Sequence, residues 1–487
     1  MERVTNALAI AATYVLLRLT YNVCLHPLRR FPGPLANRAT VLPKLSDLLG
    51  GTLPYRVAEM HALHGPVVRI APNELAFTDP RAWRDIYARK PGEHRAELPH
   101  DMAFYNASGH QPASLIASAR EQHDPVRRLL GPGFSERAVK AQEDVIGGHV
   151  ALLMRRLREN CAGGSVAVDM RDWIAFCAFD LIGNLAFGSD FGCLRDSAYH
   201  PWIALILASL RDMVMLQVLR ALGILRGALF AMRALGVGDK ALQMHVELSD
   251  SKTRQRMELG TGRDDFLDGL IAAGMGFEQL KENGSVLIIA GSETTATLLT
   301  GAIFLLTTHR DALDRLTKEV RGEFDNEDDI TLSSVNRLTY MLAVLKESLR
   351  CYPPIAIAAP RVVPPGGASI AGYTVPQGTV VGVWHWAMYH DATLFTDPYR
   401  FDPERWIQPG SNKYANDRLD AVNAFLLGPR NCIGQNLAYA EMRLVLARLV
   451  WGFDMRIGEA SVGWLEGQRN YLMWEKPELR VHLRPVR

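Results

Sequence analysis

The sequence predicts a mainly α-helical protein with a small β-rich subdomain. Long segments such as 136–160 repeat their apolar residues at the helical period, whereas strand-like pieces are short and few. The 487 residues are 48% hydrophobic and 22% charged, which fits one large folded core and excludes a disordered chain. No internal repeat or low-complexity tract divides it. A formal net charge of +2 supplies no basic face of the kind nucleic acid requires, so small molecules are the expected partners. Six cysteines (Cys24, Cys161, Cys177, Cys193, Cys351 and Cys432) stand without CxxC pairs. They suit neither a zinc site nor a disulfide framework and point to reducing, cytosolic surroundings.

Taken in chain order, residues 4–25 are mostly apolar but interrupted by Arg18, adequate in length for a membrane span and marginal in hydrophobicity. HPLRRFPGP follows, with Arg29 and Arg30 placed to keep the next domain on the cytoplasmic side and prolines to stiffen the connection. No small-residue cleavage site stands out, which favours a retained anchor over a removed signal peptide. The expected organisation is an anchor over 1–26, a proline-rich hinge over 27–38 and a catalytic domain over 39–487.

Residues 66–77 (PVVRIAPNELAF) read as strands and 136–160 as a helix. Residues 201–235 form an apolar helical region with Met213, Met215 and Met232, suited equally to a core face, a membrane-resting face or an adaptable lid. Residues 264–310 predict one very long helix with a break near Gly284, and its apolar middle imitates a membrane span. Glu293 and Gly291 inside that stretch argue instead for a helix buried through a large domain. FDNEDD at 324–329 reads as a solvated loop. PPGG, AGY, PQG and TVVGVW, between Val362 and Trp384, read as tight turns and short strands.

Cys432 differs from the other cysteines in its setting. It follows Gly428, Pro429 and Arg430, precedes Gly434, and leads into an apolar-periodic helix. A helix N-terminus and turn amides favour a thiolate, which can serve as a nucleophile, ligate a metal, or form one axial ligand of a heme iron.

FLLGPRNCIG, from Phe425 to Gly434, resembles the FxxGxRxCxG signature of the cytochrome P-450 monooxygenases. AGSETT at Ala290–Thr295, the ExxR of KESLR at Glu347–Arg350 and FDPERW at Phe401–Trp406 follow that family's motifs, and HPLRRFPGP looks like its post-anchor hinge. The resemblance spans essentially the whole chain. It implies the cytochrome P-450 fold, heme b with Cys432 as axial ligand, and Phe425, Gly434, Ala290 and Gly291 against the cofactor. It further implies Arg430, Arg361, His123 and Arg127 around the propionates, although many members carry tryptophan where His123 stands. Glu347, Arg350 and Arg405 match its buried Glu-Arg-Arg network, whose loss should abolish heme incorporation. Phe104, Ile355, Ala356, Ile357 and Ala358 would line an apolar substrate pocket.

Glu293 and Thr294 match the family's acid and alcohol pair, with Thr294 hydrogen-bonding dioxygen and Glu293 relaying protons from a hydrated groove. Gly291 would leave room for O2. The implied activity is NADPH-dependent insertion of one oxygen atom of O2 into an apolar natural product, such as a polyketide, terpenoid or alkaloid of a filamentous fungus. Electrons would come from NADPH-cytochrome P-450 reductase, with cytochrome b5 as a second donor. The enzyme would sit on the endoplasmic reticulum membrane with its catalytic domain facing the cytosol. The competing readings are a reductase-independent heme-thiolate isomerase or dehydratase, against which AGSETT speaks, and a non-catalytic heme-binding protein.

Overall fold

The computed structural model describes residues 2–88, 97–106, 114–234, 239–263, 265–407 and 413–486. Leu235 and Asp264, the expected bounds of two helical regions, lie outside these residues, as does the side chain of Met232.

The first helix, Glu2–Thr20, has no buried residue, and one π turn, Tyr21–Leu25, extends it. Its end is tied to the domain. Asn22 donates to the Ala39 carbonyl at 2.8 Å, and Arg69 donates to the Asn22 carbonyl at 2.9 Å. The proline-rich hinge is docked as well, with Leu28 and Phe31 buried among apolar residues of the β-rich side.

Two hairpin strands, β1 (Val67–Ala71) and β2 (Glu74–Phe77), begin the β-rich side. The short β3 (Ala167–Asp169) follows, then β4 (Arg361–Val362), β5 (Ala368–Ile370), β6 (Tyr373–Val375) and β7 (Val380–Val383). The sheet runs β1-β2-β7-β4, with β2 and β7 parallel and Phe77 opposite Val383. β5 and β6 form a separate hairpin. Near the C-terminus come β8 (Phe453–Ile457), β9 (Arg469–Tyr471), β10 (Met473–Glu475) and β11 (Arg480–Pro485). β9 pairs with β10, and β11 lies between β3 and β8. The valine-rich runs without alternation suit strands covered on both faces.

The expected single helix over 264–310 is two. A short helix, Asp268–Ala272, ends at Gly274, whose φ of +70° most side chains avoid, and the central helix runs Phe277–Thr308. Gly284 does not break it, for a Cβ there would meet the Phe187 ring at 2.6 Å, so this glycine admits a neighbour's aromatic side chain. The central helix is apolar on nearly every face and packs along the helix Met170–Phe187, as a helix buried through a core should. The expected helix 136–160 is likewise divided, by Gln142, into Glu136–Ala141 and Glu143–Asn160. Among the described residues three helices are long and apolar enough to cross a membrane. The most apolar stretch of the central one is 72% buried, that of Pro201–Ala221 is 28% buried, and that of Glu2–Leu25 is wholly unburied.

Candidate functional site

Cys432 sits in a loop whose bend is forced early. Leu426 and Gly428 have φ of +59° and +77°, and a Cβ on Gly428 would fall 2.0 Å from the Tyr87 carbonyl oxygen, so glycine is needed there. A 3-10 turn, Gly428–Arg430, follows, and the Cys432 amide closes the loop on the Phe425 carbonyl at 2.8 Å. Gly434 has ordinary geometry and is not the bend that its type suggested. It caps the helix Gln435–Gly452, and its amide hydrogen-bonds the cysteine sulfur. Phe425 packs on Tyr439 of that helix. From the other side Arg127 donates to the Asn431 carbonyl at 2.7 Å and to its side-chain oxygen at 2.6 Å, clamping the loop to the helix Arg120–Leu130.

The expectation that the loop alone favours a thiolate needs correction. Cys432 is solvent-accessible yet closely surrounded by protein. Burial pushes its thiol up, against the opposing pull of the Gly434 amide and the Arg127 guanidinium. A metal bound at this sulfur would supply the deprotonation, since a coordinating thiol ionises outright.

Beside this loop, cations gather with few anions. Arg430 is paired with buried Glu97 at 2.6 Å and also donates to the Ser118 carbonyl at 3.0 Å. His100 accepts from Arg430 at 3.4 Å, stacks on Tyr105 and bridges the backbone of Arg361. Burial, then Arg361, Arg430 and His123 together, push its ring down to about 2. Arg361 is 2% exposed, lies 5.3 Å from the Tyr87 ring centre, donates to the Tyr105 hydroxyl at 3.2 Å and its neighbouring Pro360 carbonyl at 3.3 Å, and leaves its Nε without a hydrogen-bond partner among the described residues. It has no carboxylate partner among the described residues, although buried charges are ordinarily paired. His123 is buried on the face of Arg127, with Nδ1 3.0 Å from Asp124, and burial lowers its pKa.

On the central helix, Ala290 is exposed and Thr294 half-buried, next to the buried Ser292, Glu293 and Thr295. The Thr294 hydroxyl donates to the Ala290 carbonyl at 2.7 Å. Gly291 does not create that exposure. Its missing side chain is replaced by Ile182, whose Cδ1 would lie 2.6 Å from a Cβ there, so the glycine serves helix packing rather than room for O2. Glu293 is buried, and the partner that sequence reasoning sought in water is Lys476, from the chain between β10 and β11. Thr297 lies between them, 2.7 Å from Lys476 Nζ and 3.3 Å from Glu293 Oε1.

The Glu347 network is wholly buried. Arg350 donates to both Glu347 oxygens at 2.7 and 3.0 Å, Arg405 at 3.2 Å, and the Trp406 indole at 2.8 Å. Burial pushes the carboxyl up, but the two guanidiniums outweigh it and hold Glu347 below the usual range. Arg405 is also paired with Asp417 and stacked on Tyr414.

Of the expected pocket residues, Phe104, Ile355, Ile357 and Ala358 share one apolar cluster with Val214 and Val218 of the helix Pro201–Ala221. Ala356 does not belong with them. It is fully buried in the main core, where its carbonyl accepts from the Trp386 amide. Sequence reasoning missed Lys476, Glu97, His100 and Asp417. Each is a lone charged or titratable residue outside any motif, and only tertiary pairing singles it out.

These residues fit a heme. A single cysteine sulfur is solvent-accessible, and among the described residues a buried guanidinium lacks a carboxylate partner and Arg361 Nε, Glu97 Oε2 and Ser118 Oγ are buried polar atoms without hydrogen-bond partners. The family model described as Cytochrome P450 matches residues 41–481. The chain is 44% identical to the trichothecene C-15 hydroxylase of Fusarium sporotrichioides, over 97% of this chain and 96% of that one. It is 41% identical to the cytochrome P450 monooxygenase tpeC of Talaromyces stipitatus, over 99% and 95%. To the averantin hydroxylase of Dothistroma septosporum it is 39% identical, over 97% and 89%.

Proposed function

The chain belongs to the cytochrome P450 family and is an oxidoreductase of its monooxygenase class, and from that premise we propose that it hydroxylates an apolar, mid-sized natural product in a fungal pathway. The observation that carries this reading is the clamped loop, which leaves one sulfur solvent-accessible two residues from Arg430 of the Arg361, Arg430 and His100 cluster. Two relatives named as hydroxylases, and the apolar cluster of Phe104, Ile355 and Ile357, support the reaction and the substrate class.

When bound, heme supplies the activation of O2, and a thiolate ligand favours O–O cleavage. The chain's residues do the rest. Cys432 would ligate the heme iron, its sulfur oriented by the Gly434 amide and its loop fixed by Arg127 through Asn431. Arg361, which has no carboxylate partner among the described residues, and Arg430, His123 and Arg127 would hold the propionates. Ala290 would border the cofactor, and Thr294 Oγ1, which donates to the Ala290 carbonyl at 2.7 Å, would turn from it to donate a hydrogen bond toward the cofactor. Glu293 supplies that hydroxyl with protons. Electrons arrive from NADPH through a cytochrome P450 reductase, with cytochrome b5 as an accessory donor. Glu2–Leu25, unburied and apolar, anchors the enzyme in the endoplasmic reticulum membrane with the catalytic domain in the cytosol.

The decisive experiment is the absorption spectrum of the reduced, carbon-monoxide-bound protein. The red-shifted thiolate Soret band is expected in the parent and is lost in Cys432→Ala. Its absence from the heme-loaded parent overturns the assignment.

A further inference from the structure

Of the three guanidiniums assigned to the propionates, Arg127, Arg361 and Arg430, only Arg430 is ion-paired with a carboxylate among the described residues. That partner is Glu97, from the segment that enters the site ahead of His100. Both side chains are enclosed, 7% exposed for Arg430 and 5% for Glu97. The pairing is nevertheless one-sided. Glu97 Oε1 accepts from Arg430 Nε at 2.6 Å, whereas Oε2 is buried without a hydrogen-bond partner among the described residues. Glu347, whose work is structural, spends both of its oxygens on donors. A buried acceptor left unmade costs free energy, so a carboxylate held on one bond points to a duty in the site rather than in the fold.

The rest of the Arg430 fork is divided just as unevenly. Nη1 donates to the Ser118 carbonyl at 3.0 Å and to His100 Nδ1 at 3.4 Å, and His100 is kept neutral by burial and then by its cationic neighbours. Among the described residues Nη2 makes no hydrogen bond, which leaves it as the free donor of the fork.

We propose that Glu97 is a positioning residue for Arg430 and sets the charge of the heme site: it occupies the Nε edge, leaves Nη2 for a propionate, and lowers the reduction potential of the iron with one fixed negative charge. This rests on the monooxygenase reading, which puts heme at Cys432. Three guanidiniums less one carboxylate leave two positive charges for two propionates, whereas a neutral side chain in place of Glu97 would leave three. Reduction adds one electron to the heme and no proton at Glu97, so a negative charge held in a low-dielectric site opposes it. Glu97 thereby favours the ferric state.

The test uses the full-length, heme-loaded protein and reads the ferric–ferrous midpoint by spectroelectrochemical titration. Glu97→Gln keeps an oxygen for Arg430 Nε and removes the charge. Its reduction equilibrium should move about tenfold toward the ferrous form, which is about 59 mV for one electron. Glu97→Asp, which keeps the charge, should stay near the parent, as should Glu121→Gln, which removes an exposed charge from the first turn of the helix Arg120–Leu130. Transfer of heme to apomyoglobin should slow in Glu97→Gln, because the propionates gain a cation. If Glu97→Gln loads heme poorly, Arg430→Gln and Arg430→Gln/Glu97→Gln, which leave no unpaired guanidinium at this position, should differ by the same factor of about ten. A Glu97→Gln midpoint equal to the parent's with faster heme loss is the mark of a merely structural pair and overturns the proposal. Equal midpoints in the two Arg430 variants overturn it as well. With the thiolate carbon-monoxide band intact, that failure is confined to Glu97. Absence of the band from the parent is a failure of the monooxygenase reading itself.

Discussion

Ile182 occupies the space that a side chain on Gly291 would fill, with its Cδ1 2.6 Å from where a Cβ would stand. Two buried helices, Met170–Phe187 and Phe277–Thr308, thereby approach closely beside the acid and alcohol pair. Gly291→Ala is expected to destabilise the fold by about 1–3 kcal/mol through overpacking. Ile182→Val, which removes the nearest methyl, should recover much of that loss in the double variant. Urea unfolding of the four proteins measures the coupling, and additive losses would show that the two residues do not share this space.

The Glu347 carboxylate serves two guanidiniums, an indole and the Asp402 amide, whereas Asp417 serves Arg405. Removing the shared acceptor leaves two buried cations short of charge. Glu347→Gln should therefore cost about 3–5 kcal/mol and abolish heme incorporation. Asp417→Asn leaves Arg405 its bond to Glu347 and should cost less. The ratio of heme to protein absorbance, measured with denaturant midpoints, checks both, and equal losses would contradict this ranking.

Acid should weaken the fold through buried histidines. Burial pushes His61 and His385 down to about 4 and His390 to about 3, from an ordinary value of 6.5. The folded protein keeps these rings neutral while the unfolded chain protonates near the ordinary value. Stability is thus fully present above that value and is lost as pH falls from it toward the folded values. The slope approaches about 1.4 kcal/mol per pH unit for each ring. His61→Gln, which retains a donor for the Gly65 carbonyl, should flatten the dependence of stability on pH by one ring's share, at most about 1.4 kcal/mol per pH unit.

Much of this protein is legible in its sequence where chemistry is local. The cysteine loop, the helix that follows it and the Glu347–Arg350 pair involve residues within a few positions of one another, and spacing alone sets them on shared faces. The break near Gly284 was misplaced because a glycine in a helix marks either a kink or a close neighbour, and only Phe187 decides between them. The cation cluster and Lys476 were illegible for a different reason. Arg430 and Glu97 stand 333 positions apart, and Lys476 and Glu293 stand 183 apart, so no window of sequence contains either pair. A lysine in WEKPE reads as a surface charge until the strands on either side of it are placed.

Those strands have a consequence for how the chain matures. Three residues beyond Lys476, the Leu479 amide bonds Asp169 across 310 positions, and β11 then threads between β3 and β8. Pairings between segments so distant are slow to form because the intervening chain must first be ordered. The ammonium paired with Glu293 is thus delivered by a segment 183 positions away, and until β11 is seated the central helix carries an acid in need of a partner. Closure of the β3-β11-β8 sheet thereby acts as a checkpoint on the interior, tying a pairing across 310 positions to the counter-ion of a buried acid.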